Sequence, residues 1–459
     1  MKQVAKELPV ATQTAQEKKD TRGRVFLLSL TLCFIIGGYW LLRTLKVPVL
    51  DAFVGVKSQP MAKIWSLVVM VVALVIYNYL LDILPRHQLF YVIGIFYSVL
   101  LVGITIGLNH PVYGMEGTRP ATMLGWISFF AIESYGSLAV TLFWSFMNSM
   151  YSLQGAKKTY GYIIAGSQFG SIIGPTLTAN NKYLGGIPPV FGVGSLCPIL
   201  SAVVIFVYMK KYGFSDIENK LNKQEDTTVP KKAKTGIFEG LRLFAKHPYV
   251  AGIFAISCLF EITLTILDFE MLVLGREVYT TKEDFAAFTG RYGMYVNIAS
   301  LLIALGGTTY IFKTCRLRYI LVSFPMMVLL TVVVVYISPT LNVALGGMIF
   351  VKALTYAINN PAKEMLYSVT TSDIKFKSKS WIDAFGGRLA KAAGAGVNNA
   401  FKSSIEMLFM YGSMVSIALS VLLVVVASFM GAKCEKYQAI NYKVGSKPVD
   451  PKEVALNQA

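Results

Sequence analysis

Long apolar segments alternate with short polar ones along almost the whole chain. A membrane-spanning helix needs roughly 20 mainly apolar residues, and twelve segments come close to this length. The pattern predicts an all-α polytopic membrane protein with twelve transmembrane helices in two six-helix bundles. The predicted spans are 25–46, 61–82, 88–109, 122–150, 160–180 and 188–209, then 248–274, 286–312, 318–338, 341–369, 380–402 and 406–430.

The polar segments predict the domain organisation. Lysine and arginine are several times more frequent in the segments on the N-terminal side of the membrane than in the opposite loops, which places both termini in the cytoplasm. Residues 1–24 are polar and lysine-rich, unlike a signal peptide. We therefore expect these units: a cytoplasmic tail 1–24, an N-terminal bundle 25–209, a cytoplasmic linker 210–247, a C-terminal bundle 248–432 and a cytoplasmic tail 433–459. A short amphipathic helix is predicted at 237–244.

Composition supports this class and excludes others. Of the 459 residues, 54% are hydrophobic and 15% are charged, against about 25% charged in soluble domains. Cytoplasmic loops explain the net charge of +18 better than nucleic acid does. The five cysteines and three histidines have no metal-binding spacing, and neither a P-loop nor a G-x-S-x-G motif occurs. We expect no metal, no cofactor and no enzymatic activity.

Charged residues inside the predicted spans are the candidate functional groups. Charge at bilayer depth is costly and usually lines a polar cavity, here one that accepts a multiply charged anion. The candidate substrate-binding residues are Arg43, Lys46, Lys363, Arg388, Lys391, Asn148 and Tyr151. The candidate gating or charge-pair residues are Glu133, Asp268, Glu364 and Asp383.

Each of these assignments has a structural alternative. Lys363 could form an ion pair that only locks helices together, and Arg43 and Lys46 could extend to the outer interface. Asp268 and Glu270 are two residues apart and point to different faces of one helix. We expect Asp268 to face the cavity, with Glu261 as its competitor.

A faint internal repeat supports two bundles. MYSL at the end of the fourth span corresponds to LYSV at the end of the tenth, and each is followed by a basic loop. Small residues then recur every four positions, which places them on one helix face. They are Gly166, Gly170 and Gly174 in the first half and Gly386, Ala390 and Gly394 in the second. Such six-plus-six repeats are typical of the major facilitator architecture. In the tenth span, Pro361 predicts a kink.

Three motifs carry a resemblance to a known family. They are NNPAKEMLYSV followed by KFKSKSWIDAFGGRLAKAAGAGV, LRTLK at 42–46, and ESYGSLAVTLFWSFMN at 133–148. The chain resembles the bacterial and plastid ATP/ADP translocases. The resemblance implies that Lys46, Glu133 and Lys363 match charged positions important for nucleotide transport, and that Asp268 matches an acidic position in the seventh span. Departures from the family pattern are Val47 and Pro48 after Lys46, and Asn360 before Pro361.

The leading hypothesis is a monomeric exchanger of ATP and ADP in a bacterial inner membrane, working by alternating access. Lys46 and Lys363 are expected to share one central basic cavity, and an empty cavity of like charges resists reorientation, which favours exchange. One alternative is a carrier of another nucleotide, NAD or an organic anion, coupled to protons through Glu133 or Asp268. Another is a membrane scaffold or receptor that transports nothing.

Overall fold

The protein is built almost entirely of helices. The computed structural model describes residues 15–150, 153–213, 244–440 and 442–446. Tyr151 and nearly all of the predicted amphipathic helix at 237–244 therefore lie outside the described residues, and the side chain of Asp383 is likewise not described.

The first half consists of six long helices in the predicted order. They are α1 Ala15–Val54, α2 Gln59–Ile83, α3 Arg86–Leu108, α4 Thr122–Met150, α5 Leu153–Ala179 and α6 Ile187–Tyr212. The second half repeats this number. Its helices are α7 Pro248–Val278, α8 Lys282–Thr314, α9 Leu317–Ile337, α10 Leu341–Val369, α11 at 372–401 and α12 Ile405–Ala439.

Within the described ranges, ten of these helices are long and apolar enough to cross a membrane. The other two are α5 and α11, which are rich in small and polar residues where they pack on neighbouring helices. Four helices extend well beyond the predicted membrane spans. α1 covers Ala15–Val54, α5 begins at Leu153, α11 begins at Ser372 and α12 continues to Ala439.

Equivalent helices pack against each other in the two halves. In the first half α5 lies on α1, where Gly170 and Gly174 meet the backbone of Cys33 and Gly37. In the second half α11 lies on α7, and a Cβ atom added to Gly394 would be 2.8 Å from the carbonyl oxygen of Ile262. The predicted close contacts of the small residues are thus confirmed in both halves.

The described residues of the second half contain four π-helical turns. One of them, Thr355–Asn359, directly precedes Pro361 in α10. Since proline has no N–H to donate, the wider turn accommodates Pro361 at the position where a kink is predicted. The π-helical turn of α8 touches this one, because the Thr308 hydroxyl donates to the carbonyl of Ala357 at 3.0 Å. Further π-helical turns lie at Ala304–Thr308, Ile382–Gly386 and Leu408–Gly412.

Residues after α12 fold back onto the connection between α10 and α11. The N–H of Val444 donates to the carbonyl of Val369 at 2.8 Å, and the N–H of Thr371 donates to the carbonyl of Val444 at 3.1 Å. These bonds fix the inner end of α10 to the segment that follows α12.

Gly394→Val tests the contact between α7 and α11. The added side chain would overlap the carbonyl oxygen of Ile262 and the Cβ of Thr265, at 2.8 and 2.9 Å from the first added carbon. We expect a loss of about 1–3 kcal/mol in the free energy of unfolding, measured by denaturant unfolding in detergent. The control is Gly396→Val on the same helix, where no atom lies within 4 Å. Equal stability of the two variants would contradict this packing.

Candidate functional site

A cavity lies between the two halves and is lined by α1, α2, α4, α7, α8, α10 and α11. Most of its polar groups are charged. Its cationic side chains are Arg43, Lys46, Lys63, Lys352 and Lys391, and its carboxylates are Glu133, Glu261 and Asp268. Five cations against three carboxylates leave an excess of two positive charges.

The cavity lies well away from the outer ends of the helices that line it. Lys46 is eight residues before the end of α1, and Asp268 is ten residues before the end of α7. At about 1.5 Å per residue, both lie about 12–15 Å from the outer ends of their helices. This is about half of the ~30 Å hydrocarbon core. Lys46 is therefore not a residue that extends to the interface.

Three of the five cations are paired with carboxylates. Lys46 Nζ lies 2.6 Å from Glu133 Oε2, which joins α1 to α4 within the first half. Lys391 Nζ lies 3.9 Å from Glu261 Oε2, within the second half. The third pair crosses between the halves.

That third pair joins α2 to α7. Lys63 Nζ donates to Asp268 Oδ2 at 2.9 Å. A second polar contact between the halves lies beside the cavity, where Arg388 Nη2 of α11 donates to the hydroxyl of Ser137 on α4 at 2.7 Å. Both contacts must change if the two halves move apart at this level.

The remaining cations, Arg43 and Lys352, have no carboxylate within 4.0 Å in the described part of the chain. The guanidinium of Arg43 lies over the Trp40 ring at 4.6 Å, and its Nη1 donates to the hydroxyl of Tyr39 at 3.3 Å. Aromatic faces stabilise a cation but do not neutralise it. The excess positive charge of the cavity is therefore located at these two residues.

Asp268 and Glu261 both line the cavity, whereas Glu270 does not. Residues 261 and 268 are seven apart and share one helix face, while residue 270 is rotated away from it. Glu270 is fully buried in the second half, where the Ser413 hydroxyl donates to its Oε1 at 3.2 Å. The competition expected between Asp268 and Glu261 does not occur, because the cavity accommodates both.

The expectation that Lys46 and Lys363 share one chamber was wrong for this conformation. Lys363 lines a separate cavity nearer the inner ends of α7, α10 and α11. Glu364 forms no pair across the halves, because its Oε1 lies 2.5 Å from Lys379 Nζ within the second half. Asn148 is exposed at the inner end of α4, where its Oδ1 accepts a hydrogen bond from Tyr160 at 3.0 Å.

Sequence reasoning missed Lys63 and Lys352 as cavity residues. Lys63 lies at the start of the predicted span 61–82 and was not proposed as a site residue, yet α2 directs it towards Asp268 of the other half. Lys352 was recognised as a charge within the tenth span but was not proposed as a site residue. Its position four residues before Tyr356 was the available signal, since such residues share a helix face.

Ion pairs close the outer end of the interface between the halves. We use "outer end" for the end that carries residues 55–58 and 279–281, following the predicted orientation. Arg276 Nε lies 2.6 Å from Asp51 Oδ2, joining α7 to α1. Lys182 Nζ lies 2.6 Å from Asp284 Oδ1, and Asn181 Nδ2 donates to the carbonyl of Glu283 at 3.0 Å. These contacts join the two halves on this side of the central cavity.

Two six-helix halves around a charged mid-membrane cavity define a transporter of the major facilitator type, and solved structures share the fold. The nucleoside transporter NupG superimposes with a TM-score of 0.58 at 13% identity, covering 89% of this chain and 99% of its own. A bacterial homologue of the iron transporter ferroportin, in its inward-facing state, gives 0.63 at 13% identity over 92% and 100%. The predicted fold class is confirmed.

The chain belongs to the TLC ATP/ADP transporter family, whose model matches residues 126–438. ADP,ATP carrier protein 1 of Rickettsia prowazekii (strain Madrid E) is 22% identical over 444 residues, covering 84% of this chain and 86% of its own. ADP,ATP carrier protein 1 of Chlamydia trachomatis serovar D is 24% identical over 395 residues, covering 74% of each chain. The chloroplastic ADP,ATP carrier protein 2 of Arabidopsis thaliana is 23% identical over 431 residues, covering 82% and 68%. The predicted family is confirmed.

Lys63→Ala and Asp268→Ala test the pair that joins the halves. Each single change leaves a charge unpaired in a largely buried position, since the two side chains are only 15% and 26% exposed. We expect each to lower the free energy of unfolding by about 2–4 kcal/mol. The double variant should lose less than the sum, with a coupling of about 1–3 kcal/mol in a denaturant-unfolding cycle.

The matched control for this cycle is Lys182→Ala with Asp284→Ala, an exposed pair between the same halves. Exposed pairs contribute little to stability, so no coupling comparable to that of Lys63 and Asp268 is expected. Strictly additive effects of Lys63→Ala and Asp268→Ala would show that their contact does not hold the halves together.

Proposed function

We propose that this protein exchanges ATP for ADP across a membrane, and that the central cavity binds the phosphate groups. The observation that carries the proposal is the excess of two positive charges at Arg43 and Lys352, in a cavity between two halves. Membership of the TLC ATP/ADP transporter family names the substrate class. The curated relatives are named as carriers, which agrees with transport rather than an enzymatic reaction.

The charge of the cavity suits a nucleotide polyphosphate. Burying an anion in a low-dielectric site requires cationic partners, and guanidinium and ammonium groups both bind phosphate oxygens. Arg43 and Lys352 are available at once, because neither must first leave a carboxylate. Lys46, Lys63 and Lys391 can also bind phosphate oxygens, but only by weakening their existing ion pairs.

Exchange follows from the same charges. Without an anion, Arg43 and Lys352 remain unneutralised in the cavity, and closing both ends around them is electrostatically costly. A bound nucleotide neutralises them and gives Lys63 an alternative partner to Asp268. Release of the Lys63–Asp268 contact then loosens the two halves from each other. In the empty carrier the two cations stay unneutralised and Lys63 stays bound to Asp268. The empty carrier therefore does not change conformation without a counter-substrate.

The membrane arrangement forms part of the proposal. We place the protein in a bacterial inner membrane with both termini in the cytoplasm, acting as a monomer. The bundles 25–209 and 248–432 are the two moving bodies, linked on the cytoplasmic side by 210–247. The concentration of basic residues in the segments on that side supports this orientation.

Proteoliposomes test the exchange directly. Purified protein is reconstituted with ADP inside, and uptake of labelled ATP is followed from outside. We expect rapid uptake in ADP-loaded vesicles, little in empty ones, and no response to an imposed proton gradient. If the uptake rate does not depend on internal ADP but increases with the proton gradient, the protein is instead a proton-coupled anion carrier. Absence of uptake for ATP, GTP, NAD and phosphate under every loading would favour a non-transporting scaffold.

Lys352→Gln and Arg43→Gln test the phosphate site. Each change removes a charge that bears no carboxylate partner, so the folded state should tolerate it while substrate binding weakens. A charge-assisted hydrogen bond contributes about 1.5–3 kcal/mol, so we expect the half-saturation concentration for ATP to rise by about tenfold or more. The increase should be larger for ATP than for ADP, which has one phosphate fewer.

The control is Lys313→Gln, which removes an exposed lysine at the end of α8, far along the chain from the cavity-lining residues. Its half-saturation concentrations should match those of the unmodified protein. Unchanged half-saturation in both Arg43→Gln and Lys352→Gln would place the phosphate groups elsewhere.

A further inference from the structure

A second cavity lies nearer the inner end, entirely within the second half. It is lined by α7, α10 and α11, with charged groups from Lys363, Glu364 and Lys379 and polar groups from Ser257, Asn360 and Tyr367. In the described part of the chain, Lys363 has no carboxylate within 4.0 Å, because the adjacent Glu364 is occupied by Lys379. Lys363 is therefore a third unneutralised cation, at a different depth from Arg43 and Lys352.

The two cavities are separated along α10. Lys352 lines the central cavity and Lys363 lines the inner one. The two residues are eleven positions apart, which corresponds to about 16 Å along a helix axis. The central and inner cations therefore form two successive positions for an anion on one path.

An aromatic pair stands at the boundary between the cavities. Trp40 of α1 lines the central cavity, and Tyr356 of α10 lines the inner one. Their ring centroids are 6.4 Å apart and their planes meet edge to face at 76°. Because one ring comes from each half, the contact must break whenever the halves separate at the inner end.

The two rings have different surroundings. The guanidinium of Arg43 lies on the face of Trp40, and Tyr356 belongs to the π-helical turn Thr355–Asn359 of α10. An anion that draws Arg43 away removes a cation from the face of Trp40. Such extra turns are frequent at functional sites in helices, and this one places Tyr356 against the opposite half.

We propose that the inner cavity is a second binding site for the phosphate groups of the substrate. Trp40 and Tyr356 form an aromatic gate between this site and the central site. The proposal rests on the proposed function for the identity of the substrate. A nucleotide arriving from the inner side is held first at Lys363. It passes the aromatic pair when the halves part there, and then reaches Arg43 and Lys352. The rings also offer faces on which a base stacks during passage.

The aromatic gate predicts how fast ADP leaks out without exchange. Tyr356→Ala and Trp40→Ala remove one side of the contact, so ADP-loaded vesicles should lose ADP into nucleotide-free buffer faster than the unmodified protein allows. We expect an increase of about tenfold in this uncoupled efflux, a readout that simple loss of folding would not raise. Tyr356→Phe keeps the ring and should restore the seal. If both alanine variants release ADP at the rate of the unmodified protein, Trp40 and Tyr356 do not form a gate.

The inner site makes a prediction about sidedness. Lys363→Gln should raise the half-saturation concentration for nucleotide by about tenfold at the inner face and leave the outer face unchanged. Lys352→Gln should raise both, because the central site serves both directions. The two faces are measured separately in vesicles of defined orientation. Equal effects of Lys363→Gln on the two faces would contradict a separate inner site.

A labelling experiment separates this proposal from the proposed function. The five native cysteines are replaced, and an Asn360→Cys variant, which lines the same cavity and keeps Lys363, is treated with a membrane-impermeant thiol reagent from the inner side. ATP and tripolyphosphate are the probes, and each should slow the labelling. If tripolyphosphate protects but no ATP/ADP exchange occurs, the inner anion site stands and the proposed function fails. If exchange occurs but neither probe protects the thiol, the inner site fails and the proposed function stands.

Discussion

The structure depends on the cost of holding charge in the middle of a membrane. An unpaired ion in a low-dielectric region is strongly unfavourable, so such groups are paired, hydrated or bound to a ligand. Eight charged side chains meet in the central cavity, and their pairing is incomplete because cations outnumber carboxylates by two. Arg43 and Lys352 are the residues left over. The cavity is consequently balanced only when it contains an anion, and this imbalance connects the fold to transport.

The ion pairs have two different roles according to the helices they join. Lys46–Glu133 and Lys391–Glu261 each lie within one half, so they persist while that half moves as a body. Lys63–Asp268 and Asp51–Arg276 connect the halves and must break when the outer end opens. Since a carboxylate is released only when its cation finds another partner, an anion in the cavity can exchange places with Asp268. The outer pair of Asp51 lies outside the cavity and opens only with the movement of the halves.

Sequence alone predicted the number of long helices, the two halves and several of the cavity residues. This was possible because apolar length, helix periodicity and rare charges are local properties. Lys63 could not be assigned in this way, because its contact with Asp268 joins residues that are far apart in the chain. Nor does the sequence show that Lys363 and Lys46 line different cavities. That separation depends on Trp40 meeting Tyr356, a contact between residues far apart in the chain.

The two halves have the same topology but differ in their helix geometry. Four helices of the second half contain π-helical turns, whereas the described helices of the first half contain none. Two of these turns, Thr355–Asn359 and Ile382–Gly386, contribute residues to the inner cavity. A π-helical turn interrupts the regular hydrogen-bond pattern of a helix and is a place where it bends. The π-helical turns of α10 and α11 are therefore the places at which these two helices can bend beside the inner cavity.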